Sequence, residues 1–417
     1  MSPHVPTAAN AQNEPTDTPT PGAERSEAPD PSSSLNPEPR TPNPSLVSPP
    51  RRVLTPMNRR QFLTRSAAVA ALAALPPALC KADDSTAPES LNDLLAPILK
   101  SHALPAVAAA FVKADRIAAQ GVAGVREIGQ PDPVTLQDKF LIGSCTKRMT
   151  ALMTCRLIDA GQLSFDTTLA AALPGLPMRD DYRPVTIAQL LTFTGGIPAY
   201  TRIGPQLTPV LFQLKGTPDE QRDQFIHHLL QEPPAVKPGT ERLYSNASYA
   251  LLAFVAAHKT AKTWESLIQE HVFQPLRMTA SGFGRPRTKD HPDQPAPHVK
   301  GEGGYQPEPD DRPGVHPVLA GAGAVHCDIH DFATFAIYEL AGARGHDPLL
   351  KPETAKRWRE GRMAGREGSP VFGGSQSITA AYVTWPSKNA AAAVMTNAGA
   401  AADACTDFFK AALDRFG

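Results

Sequence analysis

The chain has 417 residues, and its 41 basic side chains balance its 41 acidic ones, so the formal net charge at pH 7 is zero. A chain without net charge is poorly suited to nucleic acid or an anionic membrane surface as its main partner. Residues 1–56 are rich in Pro, Ser, Thr, Ala and Glu and contain no aromatic residue. Such a segment cannot bury enough apolar surface to offset its ordering entropy, so we predict a disordered extension.

Residues 57–82 have the composition of an export signal. Met57 is followed by the pair Arg59-Arg60, an apolar run over 66–75 and a Pro-rich, small-residue flank. This order is typical of a cleaved leader, and the paired arginines resemble a twin-arginine signal. A buried core helix is the alternative. The run is too short to span a bilayer, so we expect an exported, periplasmic protein with no stable membrane span in the mature chain.

The position of this signal predicts a second feature. A leader should begin a protein, but this one starts at residue 57. We therefore expect Met57 to be the true start and residues 1–56 to be a mis-assigned extension. Mass spectrometry of the unprocessed precursor tests this, because peptides from residues 1–56 would rule it out.

Residues 83–417 are long enough for one compact domain with two lobes. Apolar periodicity predicts strands near both ends of this segment and helices between them. The predicted strands cover 106–112, 117–125, 377–385 and 390–396, and the predicted helices cover 91–102, 186–191, 221–230, 249–258, 264–273 and 400–416. The fold class expected from this order is α+β, an antiparallel sheet built from both chain ends, flanked by helices and joined to a mostly helical second lobe.

A polar segment and the cysteines give two further predictions. Residues 284–317 are rich in Pro, Asp and His, which predicts a long surface loop. The five cysteines show no C-x-x-C pair and no metal-type spacing, so we expect no metal or other cofactor.

The stretch Ile142-Gly-Ser144-Cys-Thr-Lys147 predicts a strand end running into a helix. Residues three apart share a helix face, so the Ser144 hydroxyl and the Lys147 amine can meet. A buried amine loses its proton readily and can then act as general base for a neighbouring hydroxyl. Alternatively, Ser144 is only the N-cap of a helix, with a solvated Lys147 in its first turn.

Tyr244-Ser-Asn246 follows about 100 residues later, and the two motifs in this order resemble the serine β-lactamase and penicillin-binding-protein superfamily. The nearest resemblance is to its class C β-lactamase-like branch, which also contains DD-peptidases and esterases. Other stretches fit the same order. They are His102-Ala-Leu-Pro-Ala-Val, Ile158 to Asp166, Val185 to Pro198, Pro238-Gly239, Leu319-Ala-Gly-Ala-Gly and Met395-Thr-Asn397-Ala-Gly399.

The resemblance implies a role for each site residue. Ser144 would attack a carbonyl and form an acyl-enzyme. Lys147 and Tyr244 would share its proton, with Tyr244 as base or relay. Asn246 would hydrogen-bond Lys147 or the amide of the substrate.

A third motif of this superfamily is Lys or His, one residue, then Gly, on a strand that lines the site. The matching stretch is Val371-Phe372-Gly373-Gly374-Ser375, which places Phe372 where the superfamily has a cation or imidazole. The resemblance implies an oxyanion hole made by the N–H groups of Ser144 and Ser375, with Gly374 letting the backbone approach the ligand. A Phe wall suits a neutral group better than an anion. If a cation replaces the missing one, Arg362 and Arg366 are the first candidates.

We therefore expect an exported serine hydrolase acting on a small ester, amide or lactam, with an esterase on small neutral acyl esters ahead of a β-lactamase or DD-peptidase. A non-catalytic protein that binds a cell-wall or acyl ligand is the alternative from another class. An α/β-hydrolase is disfavoured because no G-x-S-x-G motif is present. A metal site at His326 and His330 is a weaker alternative, because no H-E-x-x-H is present.

Overall fold

A mixed sheet, built from strands near the two ends of the domain, organises the fold. The computed structural model describes residues 87–201, 204, 207–310, 314–360 and 366–417. Within these residues the main sheet has the strand order β1-β3-β2-β11-β10-β9. Neighbouring strands are antiparallel except the short β1, which pairs in parallel with β3. The predicted α+β class and the origin of the sheet from both chain ends are confirmed, and the parallel edge strand was not predicted.

The strands of the main sheet are β1 Glu89–Ser90, β2 Ala106–Lys113, β3 Arg116–Gly124, β9 Val371–Gly374, β10 Thr379–Trp385 and β11 Ala390–Thr396. The smaller sheets use β4 Phe140–Leu141, β5 Gly282–Phe283, β6 His298–Gly301, β7 Gly304–Pro307 and β8 Val325–Cys327. The first helices are α1 Asn92–Ser101, α2 Thr146–Asp159, α3 Leu169–Ala172, α4 Ile187–Leu191, α5 Thr208–Gln213 and α6 Pro218–Leu229. They are followed by α7 Asn246–Thr260, α8 Trp264–Ile268, α9 Gln274–Leu276, α10 Ala320–Gly323, α11 Ile329–Ala343, α12 Pro352–Glu360 and α13 Ala402–Phe416.

Both faces of the central strands β2, β11 and β10 are buried, which explains why these strands are almost wholly apolar. Side chains alternate along a strand, so Ala108 and Ala110 face the helical lobe while Ala109 and Phe111 face the terminal helices α1 and α13. The many alanines of β2 and β11 leave room for helices to approach on either side.

The helical lobe lies on one face and places helix α2 beside the sheet edge. Within α11, Phe332 and Phe335 meet the ring of Tyr382 edge-on, at centroid distances of 5.9 and 6.0 Å. Strand β9 is the edge of the sheet on this side and lies against the turn that carries Ser144. The site is therefore formed between the sheet edge and the helical lobe.

The prediction of a long surface loop over 284–317 is wrong in part. This segment contains the β6–β7 hairpin, and the side chains of His298 and Tyr305 are buried. The ring of His298 accepts a hydrogen bond from Ile128 N and donates one to Asn397 O. The Tyr305 hydroxyl donates to Gly399 O. Buried hydrogen bonds from His298 and Tyr305 therefore hold this segment to the domain, although its low apolar content predicted an exposed loop.

The disordered extension predicted for 1–56 and the export signal predicted for 57–82 lie outside the described residues. Among the residues that are described, we find no helix with the length and apolar character needed to cross a membrane.

Candidate active site

Ser144 lies in a short turn between β4 and α2. The end of β4 is held by a hydrogen bond from Ile142 N to Val325 O at 3.0 Å, and a single 3-10 turn over Gly143–Cys145 leads into the helix. Gly143 has φ +48°, in the left-handed region that favours glycine. The Ser144 hydroxyl caps neither this turn nor α2, so it is left to face the site.

Lys147 is buried directly beneath this hydroxyl, with 3% of its surface exposed. Its Nζ lies 3.1 Å from Ser144 Oγ, 2.8 Å from Asn246 Oδ1 and 2.8 Å from Ala322 O. Burial lowers the pKa of Lys147 from 10.5 to about 7. The oxygens of Asn246 and Ala322 can only accept, so they take two N–H groups and leave the lone pair of a neutral amine for the Ser144 hydroxyl.

Tyr244 approaches Ser144 from the other side. Its hydroxyl donates to Ser144 Oγ at 2.7 Å, and its ring centroid lies 4.9 Å from Lys147 Nζ. Burial raises the pKa of Tyr244 more than the Ser144 hydroxyl and a nearby arginine lower it, so the phenol stays protonated at neutral pH. This geometry lets a neutral Lys147 accept the Ser144 proton, while the Tyr244 hydroxyl donates to Ser144 Oγ.

Asn246 is the first residue of α7 and positions Lys147. Its Oδ1 accepts from Lys147 and its Nδ2 donates to Tyr200 O at 2.9 Å. The alternative role for Asn246, binding the amide of a substrate, is disfavoured because both ends of its side chain are already engaged. The Ser245 hydroxyl caps α7 by accepting from Ser248 N, which fixes the start of the helix and with it Asn246.

The oxyanion donor predicted at Ser375 is wrong by one residue. Ser375 N donates to Ile378 O at 3.0 Å in the turn between β9 and β10. Opposed residues of two antiparallel strands alternate between hydrogen-bonded and non-hydrogen-bonded pairs. Because Ser375 is hydrogen-bonded to Ile378, the next pair along the strands, Gly374 and Thr379, is a non-hydrogen-bonded pair. The N–H of Gly374 thus points away from β10. A β-carbon on Gly143 would collide with Gly374 N, which places that nitrogen at the Ser144 turn.

The alignment of the third motif with this strand also shifts by one residue from the predicted one. A β-carbon on Gly373 would collide with Ile142 O and lie 2.8 Å from Ser144 N, so Gly373 is the residue that must be glycine for the strand to reach the site. If Gly373 is the motif glycine, then the cation position, two residues earlier on the same face, is Val371 and not Phe372. Phe372 is 39% exposed on this edge strand. Both side chains are neutral, so the predicted absence of a cation from this strand still holds.

Sequence reasoning missed two supports of the site. One is the Ala322 carbonyl, a backbone group whose approach to Lys147 no residue type could signal. The other is Phe193, which lies beneath Tyr244 with 4.9 Å between ring centroids and has a positive φ of 62°. A bulky residue in that conformation is uncommon, and sequence gives no sign of it.

The two histidines of the weaker metal alternative do not form a pair on one helix. His326 is in β8 and His330 begins α11, so they do not share a helix face, and the His326 ring bonds to Gly284 O. No group of three or more potential metal ligands occurs among the described residues. Arg366 is exposed, and Arg362 lies outside the described residues.

Cys145, the neighbour of Ser144, is fully buried. Its Sγ lies 3.5 Å from Val371 O, and burial raises the pKa of the thiol. A protonated, inaccessible thiol is a poor nucleophile, so Cys145 does not compete with Ser144.

Comparison with known proteins agrees with the resemblance drawn from the motifs. A family model described as Beta-lactamase matches residues 91–414. The chain is 26% identical over 216 residues to "Beta-lactamase" of Escherichia coli (strain K12), covering 49% of this chain and 51% of that protein. It is 30% identical over 183 residues to "Penicillin-binding protein 4" of Amycolatopsis lactamdurans, covering 43% and 45%. The chain thus spans about half the length of these curated relatives.

Two solved structures share the fold at low identity. The D-amino acid amidase from Ochrobactrum anthropi SV3 superposes with a TM-score of 0.61 at 20% identity, covering 78% of this chain and 99% of that one. The octameric penicillin-binding protein homologue from Pyrococcus abyssi gives a TM-score of 0.60 at 19% identity, covering 78% and 76%.

Proposed function

The chain belongs to the Beta-lactamase family, within the serine β-lactamase and penicillin-binding-protein superfamily. From that premise, we propose that it is a serine hydrolase that forms an acyl-enzyme at Ser144. The observation that carries the proposal is the position of Ser144 Oγ between the Tyr244 hydroxyl at 2.7 Å and the Lys147 amine at 3.1 Å.

The reaction begins when neutral Lys147 takes the Ser144 proton and Ser144 Oγ attacks the substrate carbonyl carbon. The developing oxyanion is stabilised by the N–H groups of Ser144 and Gly374. The bond to the leaving oxygen then breaks, and Tyr244 gives that oxygen its proton. A proton passing from Lys147 to Tyr244 restores both groups, and water then releases the acid from Ser144.

For the substrate we propose small neutral esters. Phe372 is a half-exposed aromatic side chain on the edge strand, and we assign it to the wall that binds the acyl group; neither Val371 nor Phe372 can pair with a substrate carboxylate. The family and the named relatives favour β-lactam or other amide substrates as the second candidate. A ligand-binding protein without turnover is the third, and the lowered pKa of Lys147 weighs against it because mere binding does not require a neutral lysine.

Export remains part of the proposal on the sequence of residues 57–82. The four cysteines in the described domain, Cys145, Cys155, Cys327 and Cys405, are all free and buried. A domain with no disulfide to form is able to fold before export, which is compatible with a twin-arginine leader.

The test is a rate assay of purified residues 83–417 on a short-chain chromogenic ester and a chromogenic cephalosporin, with Ser144→Ala as the blank. We expect ester turnover that disappears in the variant, with both proteins unfolding at the same temperature. Turnover of cephalosporin alone would reverse the substrate order. Turnover that persists in Ser144→Ala would reject the acyl-enzyme, and silence on both substrates with Ser144 unlabelled by an acylating probe would favour the binding protein.

A further inference from the structure

Arg242 is an exposed cation near the site that the reaction scheme above does not use. It precedes Tyr244 by two residues, and its Cζ lies 5.2 Å from the ring centroid of Phe193. The same Phe193 ring packs on Tyr244 at 4.9 Å. Within the described part of the chain, no carboxylate lies within ion-pairing distance of Arg242. Its charge is therefore not neutralised by a neighbour.

Phe193 connects this cation to the site through a strained conformation. Its φ of 62° is unfavourable for a bulky side chain, and such outliers persist only where the surroundings enforce them. The enforcing contacts are visible: Leu243 N donates to Phe193 O at 2.9 Å, and the ring lies 5.3 Å from that of Tyr249. The Phe193 ring is therefore held in a fixed position between the Arg242 guanidinium and the Tyr244 ring.

We propose that Arg242, held on the Phe193 ring that also packs on Tyr244, takes the place of the positive charge that strand β9 lacks and supports proton donation from Tyr244 to a poor leaving group. The inference rests on the proposed function and refines its substrate class to alkyl esters. Arg242 touches no reacting atom, so it is a positioning residue and not a catalytic one.

Among the described groups that act on Tyr244, Arg242 is the one with a permanent charge. Lys147 faces the Tyr244 ring but is neutral in the reactive form, and the thiol of Cys145 stays protonated. Burial raises the pKa of Tyr244, whereas the Ser144 hydroxyl and the Arg242 charge lower it. A guanidinium keeps its charge at every working pH, so it opposes the burial effect throughout.

The experiment compares two leaving groups on one acyl group, ethyl butyrate and 4-nitrophenyl butyrate. Nitrophenolate departs without a proton, whereas ethoxide needs one from Tyr244. In Arg242→Gln we expect kcat/KM to fall about threefold more for the ethyl ester than for the nitrophenyl ester, because only the ethyl ester needs the Tyr244 proton for its leaving group to depart. Arg242→Lys should restore most of the ratio. The matched control is Lys237→Gln, which removes an exposed charge from the same segment.

Two further readouts separate this proposal from a structural role and from failure of the proposed function. High salt screens an exposed charge, so it should move the wild-type ratio towards that of Arg242→Gln and leave the variant unchanged. Equal losses on both esters, or a ratio that Arg242→Lys does not restore, would overturn the inference while Ser144 still acylates. Absence of acylation in the wild type would reject the proposed function itself.

Discussion

Asn246→Asp tests whether the neutral Lys147 amine is the base. The substitution keeps the Oδ1 that accepts from Lys147 at 2.8 Å but adds a negative charge. An opposite charge at this distance raises the pKa of an amine by about 1 to 3 units. At pH 7, half of the wild-type Lys147 is neutral, since its pKa is about 7. The neutral fraction in the variant falls to between about 9% and 0.1%, so activity at pH 7 should drop about 5-fold to 500-fold.

The assay is kcat/KM for a chromogenic ester between pH 5 and 10. The wild-type value should rise through pH about 7 and then level, because activity requires deprotonated Lys147. In Asn246→Asp the same rise should move to higher pH, with most of the activity recovered above it.

The matched control is Asn246→Leu, which loses the bonds to Lys147 and to Tyr200 O without adding charge. Its rise should not move to higher pH. An unmoved or lowered rise in a folded Asn246→Asp protein would refute Lys147 as the base.

Three further predictions concern Gly373 in strand β9, the half-exposed Phe372 and the predicted export signal. Gly373→Ala should lower both activity and melting temperature, since the new methyl group collides with Ile142 O; a fully active variant would show that β9 does not need to approach the turn so closely. Phe372→Ala should raise KM for esters with apolar acyl groups and leave the melting temperature within about 2 °C, because exposed side chains contribute little stability; an unchanged KM would remove Phe372 from the acyl wall. A reporter fused after residues 57–90 should be exported in a bacterium with a twin-arginine system, and Arg59→Lys with Arg60→Lys should block it; export by the double variant would exclude this route.

The sequence predicted the main elements because their signals are local. Continuous apolar runs that end at a turn mark β10 and β11, and the glycine at position 161, with φ 72°, follows the end of α2 as the C-cap rule expects. The Ser144–Lys147 spacing predicted their contact because helix geometry alone brings residues three apart together. The meeting of Tyr244 with Ser144 was predicted from family resemblance, since no local rule connects residues 100 positions apart.

What sequence missed depends on backbone position. The oxyanion donor changed from Ser375 to Gly374 because the hairpin register decides which N–H points outward, and adjacent Gly373 and Gly374 give no sequence cue to that register. The contact of the Ala322 carbonyl with Lys147 and the positive φ of Phe193 could not be predicted for the same reason, since neither depends on a distinctive side chain at its own position. The hairpin within 284–317 was missed because its anchors, His298 and Tyr305, are polar residues that the fold buries.

Intact-protein and peptide mass spectrometry after millisecond mixing with 4-nitrophenyl butyrate tests the central claim most directly. We predict a mass increase equal to one butyryl group on the peptide that contains Ser144, formed in the wild type and absent from Ser144→Ala. A labelled residue other than Ser144, or full turnover by the wild type with no acylated species at Ser144, would contradict the account.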